Sequence, residues 1–90
     1  MRYHRSADVT WEMAEERAVI LDAGGSTLTT LNPVGTLIWR YLDAPRDADE
    51  ISGYLARQFP DVDPARLHDD ALAFIDRLAD DGLVVPAADS

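Results

Sequence analysis

Ninety residues make one domain's worth of chain, and at that length only one small core can be buried. An apolar fraction of 47%, with two Trp, three Tyr and two Phe, excludes the aromatic-poor composition of disordered chains. The net charge of −9, in a chain whose eight basic residues are all Arg, argues against nucleic acid, whose binders need cations to displace phosphate counterions.

No apolar run approaches the roughly eighteen residues that a bilayer span needs. The basic start, Met1-Arg2-Tyr3-His4-Arg5, is not followed by the apolar stretch of a signal peptide. There is no cysteine, hence no disulfide framework and no thiolate metal site. A cytoplasmic domain spanning 1–90, without membrane contact, is the expectation.

Along the chain, Val9-Thr10-Trp11-Glu12-Met13 alternates apolar and polar side chains, the period of a half-buried strand. Glu15-Glu16 comes next as a polar turn. Ala18-Val19-Ile20-Leu21 is short, apolar and β-branched, as central strands are. Asp22-Ala23-Gly24-Gly25-Ser26 is the strongest turn signal, since glycine tolerates positive φ. Thr27-Leu28-Thr29-Thr30-Leu31 then reads as a third strand. Half polar and rich in Thr, it suits a sheet edge, where unpaired N–H and C=O groups can accept another chain.

The rest is helical. Asn32-Pro33 supplies an N-cap and a first-turn proline, and Val34, Leu37, Ile38, Tyr41 and Leu42 fall on one face. Ala44-Pro45-Arg46 ends that helix. Asp47 and Glu50 have capping-box spacing for a second, whose apolar face is Ile51, Tyr54, Leu55 and Phe59, with Pro60 as its stop. Asp63-Pro64 opens a third helix with the stripe Leu67, Ala71, Phe74, Ile75 and Leu78, and Gly82 suits its C-terminal cap. Leu83-Val84-Val85 reads as a short strand before Pro86, and the last few residues as a frayed end. The order is α+β: a three-stranded antiparallel sheet followed by three helices that must cover its apolar face.

The residues do not assemble a catalytic set. His4 and His68 are the two histidines, one near the start and one early in a helix, with no Cys and no Ser in a nucleophile-elbow context. No catalytic residue, metal ligand or cofactor is expected. Asp69-Asp70 point about a hundred degrees apart on a helix and suit the positive N-terminal end of its dipole. Asp80-Asp81 lie at the negative end; surface solubility and pairing with a basic partner both stay open there. Gly24-Gly25 lacks the Lys and Ser or Thr of a phosphate loop. The Thr-rich edge strand beside the third helix leaves one further use: a groove with an apolar floor and a rim of backbone groups, which suits an extended peptide added as a strand.

Val19-Ile20-Leu21-Asp22, the glycine turn, and Leu31-Asn32-Pro33-Val34-Gly35-Thr36-Leu37-Ile38-Trp39 together resemble the PqqD family pattern, "LN-x-x-G-x-x-I-W" after an apolar strand and turn. Leu42-Asp43-Ala44-Pro45-Arg46, Glu50-Ile51, Leu55, and Asp70 to Leu78 followed by Gly82-Leu83 extend the likeness over roughly residues 9 to 85. Ala44 stands where many relatives have Gly. The strand pair lacks a Pro-Glu dipeptide associated with members devoted to pyrroloquinoline quinone synthesis, which points to the broader class of recognition elements for ribosomally made, modified peptides.

The resemblance implies a winged-helix-like fold and a non-catalytic domain whose partner is the leader of a precursor peptide. It also implies a modifying enzyme: a lasso-type leader peptidase and cyclase, or a radical-SAM enzyme. Carried onto this chain, it places backbone pairing at Leu28, Thr29 and Thr30, an apolar wall at Leu67, Ala71 and Phe74, and polar contacts at Asp70 and Arg77. Which of these face the peptide depends on a strand register that a one-residue slip reverses. Apolar groove surface left uncovered favours self-association, so a homodimer is among the expected states. The alternatives are a winged-helix DNA-binding regulator, against which the acidic third helix argues, and a small subunit completing a partner's active site.

Overall fold

The computed structural model describes residues 1–87. Six short strands and three helices occur in the order β1 (Arg2–Arg5), β2 (Thr10–Ala14), β3 (Arg17–Leu21), β4 (Leu28–Thr30), α1 (Pro33–Tyr41), β5 (Arg46–Asp47), α2 (Ala48–Gln58), α3 (Pro64–Asp80) and β6 (Val84–Pro86). β2, β3 and β4 form the expected three-stranded antiparallel sheet, with β3 in the centre. The three helices come after it in a winged-helix-like α+β arrangement. The expected frayed end after Pro86 falls, apart from Ala87, outside the described residues.

Local chemistry accounts for the boundaries. Asn32 Oδ1 accepts the Gly35 N–H at 2.7 Å and opens α1. Asp47 and Glu50 form a reciprocal capping box at α2, each side chain accepting the other's backbone N–H, so two orphan donors are satisfied at once. Asp63 accepts from Ala65 at the start of α3. At its end Gly82 takes φ +74°, with Gly82 N–H donating to Ala79 O and Leu83 N–H to Leu78 O, the paired bonds of a Schellman close.

One apolar cluster lies between sheet and helices: Ala18 and Ile20 from β3, Ile38, Trp39 and Leu42 from α1 and its cap, Ile51 and Leu55 from α2, and Leu67, Ala71, Ile75 and Leu78 from α3. Trp39 is fully buried and meets Trp11 edge-to-face, with ring centroids 6.1 Å apart. The hydroxyl oxygen of buried Thr36 accepts the Ala18 N–H at 3.0 Å, tying α1 to the central strand.

A second sheet, β5-β1-β6, contains the expected strand before Pro86 as β6 and adds two strands, β1 and β5, that were not expected. The segment around His4 is held as a strand: β1 pairs antiparallel with β5 and β6, Tyr3 packs against the core, and His4 Nδ1 lies 2.8 Å from Arg5 O. His68 is likewise half-buried, its Nδ1 3.2 Å from Ser52 Oγ between α2 and α3. Among the described residues no helix is long and apolar enough to cross a membrane.

Candidate peptide groove

β4 is short and lies at the edge of its sheet. Its open groups are fixed by the ladder. Leu31 N–H donates to Ala18 O at 2.9 Å and Asp22 N–H to Thr27 O at 3.1 Å, on either side of the register Val19↔Thr30, Ile20↔Thr29 and Leu21↔Leu28. Hydrogen-bonded and non-bonded pairs alternate along an antiparallel ladder. Ile20 and Thr29 are therefore a bonded pair, and Leu28 and Thr30 turn their N–H and C=O groups away from β3. Among the three residues expected to pair through their backbones, Leu28 and Thr30 hold the free groups. Thr29 is corrected: its backbone is spent on Ile20.

Beside that edge runs α3. Between them lies a cleft of about 210 Å³ whose lining includes Arg17, Thr29, Thr30, Asn32, Phe74 and Arg77. It continues past Thr29 and Asp81 into a second hollow of about 190 Å³ that reaches Asp22 and Thr27. The side chain of Thr29 shares the sheet face of its cross-strand neighbour Ile20, since directly opposed residues point the same way. Buried Leu31 and Leu78 form the floor. The result is a trough with an apolar floor and largely polar walls, with an unsatisfied backbone edge along one rim.

Of the α3 residues expected there, Phe74 and Arg77 line the cleft. Leu67 and Ala71 do not: they are 5% and 0% exposed, packed beneath the helix as core, so they support the wall without presenting surface. Asp70 is exposed beside Arg66, its Oδ2 3.9 Å from Nε, one helical turn from Phe74 and outside the lining. Arg17, Asn32 and Asp81 join the site without having been expected in it. Arg17 and Asp81 carry no local signal; they reach the groove because the β2–β3 turn and the end of α3 converge on β4.

Two features hold the trough open. Gly35 is buried on α1, and a Cβ there would lie 2.7 Å from Phe74 Cε1 and 3.1 Å from Asn32 Oδ1, so the glycine of the "LN-x-x-G" motif is what admits the Phe74 ring. The Asp22 turn fixes the start of β4. The Asp22 carboxylate accepts the Thr27 and Ser26 N–H groups, and those bonds, Thr27 first, hold its pKa below the ordinary value. Of the two glycines in that turn only Gly25 takes positive φ, at +70°.

A larger cleft of about 300 Å³ lies elsewhere, among Leu37, Arg40, Tyr41, Asp43, Arg46 and Tyr54. There Arg46 stacks 4.1 Å above Tyr41, donates to Tyr41 O and to Asp43, and Tyr41 stacks on Tyr54. These contacts close α1 onto β5 and α2. Among the described residues no group of three or more His, Asp or Glu is placed to hold a metal ion.

Three solved structures resemble this one. TbiB1 in complex with the TbiA(beta) leader peptide superposes with a TM-score of 0.84 at 26% identity, covering 96% of this chain and 99% of that one. Lasso peptide synthetase B1 complexed with the leader peptide gives 0.79 at 20% identity, covering 93% and 98%. The PqqD truncation of Methylobacterium extorquens PqqCD, a stand-alone recognition element for ribosomally synthesized and post-translationally modified peptides, gives 0.75 at 19%, covering 93% and 88%. No curated protein sequence gave a match. The family model for coenzyme PQQ synthesis protein D matches residues 17–84, most of the chain and the whole of the trough. The chain belongs to the PqqD family.

Proposed function

We infer that this chain is a recognition element that takes the leader of a ribosomally made precursor peptide as an added strand on β4. It would deliver that leader to a modifying enzyme without itself making or breaking a bond. The observation that carries the reading is the outward pair of backbone groups on Leu28 and Thr30 above the Thr29, Phe74 and Leu78 trough. Main-chain bonds along such an edge give affinity, and pockets for alternate side chains give specificity. The TbiB1 structure, 26% identical, was solved with a leader peptide, which supports the same use here. A tethered leader raises the local concentration of its substrate segment at the enzyme. The enzymes that the family resemblance implies are a lasso-type peptidase and cyclase or a radical-SAM enzyme, acting in the cytoplasm where precursors are translated.

Calorimetry with synthetic leaders from short precursor genes near this one tests the reading. Micromolar or tighter binding is expected for the cognate leader. Thr30→Pro should abolish it in a folded protein, because proline is tolerated at an edge whose N–H faces outward. Absence of binding to every such leader, or binding indifferent to Thr30→Pro, overturns the reading. The charge of α3 argues against the DNA-binding alternative that a winged-helix-like fold raises: it sets Arg66 and Arg77 against Asp69, Asp70, Asp76 and Asp80, the wrong sign for a helix against phosphates. In the absence of peptide, the same open edge is where two copies would pair.

A further inference from the structure

The charges of the trough are sorted along its length. α3 runs antiparallel to β4: Phe74 sits against Gly35 at the start of α1, whereas Asp81 sits beside Thr27 and Thr29. Arg77 precedes Asp81 by one turn of helix. Arg17 lies at the same end as Arg77, because its neighbour Ala18 bonds to Leu31. Asp22, whose carboxylate is fixed by the Thr27 and Ser26 N–H groups, lies at the end with Asp81. Among the described residues Arg17, Arg77 and Asp81 make no ion pair, although other charged side chains do. Two arginines therefore line the end near Asn32 and two aspartates the end near Thr27, none of them in an ion pair among the described residues.

Spacing completes the case. Arg77 and Asp81 are separated by about 6 Å along the helix axis, at 1.5 Å per residue. Two residues of an extended strand advance about 6.6 Å and return a side chain to the same face. Resting on the leader-binding reading of β4, we propose that the trough selects a peptide with an acidic side chain over Arg17 and Arg77 and a basic one two residues along, over Asp81 and Asp22. Every strand pair in this molecule is antiparallel. Added in the same sense, the peptide reads acid-x-base from its N-terminus. The Asp80-Asp81 pair thereby divides: Asp81 meets the basic partner and Asp80 faces solvent.

The test is a selection of random short peptides displayed on phage, against the full chain and against the double variant Arg77→Asp, Asp81→Arg. Both residues are exposed and the exchange leaves the net charge unaltered, so general electrostatic attraction is held constant. The unmodified protein should enrich acid-x-base, and the double variant base-x-acid. A synthetic winner should lose roughly three- to tenfold in affinity when its acid and base are exchanged, the scale of exposed ion pairs. If the double variant does not fold, Arg77→Gln and Asp81→Asn singly should each erase the preference at one position only. Peptides that require an intact Thr30 N–H but show no charge order, or the same order in both proteins, overturn the polarity and leave the groove standing. No enrichment, or enrichment indifferent to Thr30→Pro, overturns both.

Discussion

Single residues set the tolerances of this small molecule. Glu15 is the one described non-glycine residue with positive φ, at 62°, in the two-residue turn between Ala14 and Arg17. A left-handed backbone costs an L-residue roughly 1–2 kcal/mol, against about 0.5–1 kcal/mol of extra entropy that glycine forfeits on folding. Glu15→Gly should therefore raise stability by about 0.5–1 kcal/mol, read as a higher urea midpoint at constant slope. Gly35→Ala acts in the opposite direction. Alanine is the better helix former by about 1 kcal/mol, but its Cβ meets the Phe74 ring at 2.7 Å, and overpacking of this kind typically costs about 1–3 kcal/mol. The variant should be less stable, and it should bind leader more weakly because the ring that yields is a wall of the trough. Asp22 adds a pH dependence. Its carboxylate is lowered by backbone N–H donors, so its contribution is complete at neutral pH and is lost as the pH falls through the ordinary carboxylate range toward the depressed value. Asp22→Asn should flatten that part of the acid limb of a stability titration; an unchanged acid limb would show the carboxylate to be irrelevant to the turn.

At the level of elements, β4 is where sequence and structure meet most closely. Its Thr content marked it as an edge, and an edge it is. Which of its groups are free was not legible, because alternation along a ladder depends on a register that only the Leu31–Ala18 and Asp22–Thr27 bonds settle. Hydrogen exchange checks that parity. Thr29 N–H should be protected in the free protein, whereas Leu28 and Thr30 should exchange rapidly and become protected when leader binds. Similar protection of all three without peptide would refute it. The helices were legible through their caps: Asn32, Asp47 with Glu50, and Asp63 each advertise an N-terminus by side-chain chemistry confined to a few residues. The α3 stripe was legible as a stripe only. Leu67 and Ala71 share it with Phe74, yet the first two are core and the third borders the groove, a distinction made by what α2 and β4 cover. β1 and β5 escaped notice because Arg2–Arg5 and Arg46–Asp47 are too polar and too short to show a strand period.

The whole molecule is closed by what the sequence pattern concealed. β1 lies between β5 and β6, so residues from the start of the chain staple the α1–α2 connection to the segment after α3. Ser6 N–H donates to Leu83 O and Ala87 N–H to Arg2 O, at 2.9 and 2.8 Å. The Arg5 guanidinium lies 5.0 Å from the Trp11 ring centre and 5.8 Å from that of Trp39, linking this small sheet to the face of the larger one. A domain of this size has on the order of 5–10 kcal/mol to spare. Each backbone bond contributes about 0.5–1.5 kcal/mol net, so a variant lacking residues 1–5 loses a large share of that margin. It should unfold at a markedly lower urea concentration, with its Trp fluorescence shifted to the red as Trp11 and Trp39 lose their cover. The trough does not include β1. Leader affinity measured well below the new midpoint should therefore stay within about twofold of the full chain, since removing β1 takes away no residue that lines the trough. A larger loss in the folded variant would mean that the small sheet also sets the pose of α3 against β4, and that the groove is a property of both sheets together.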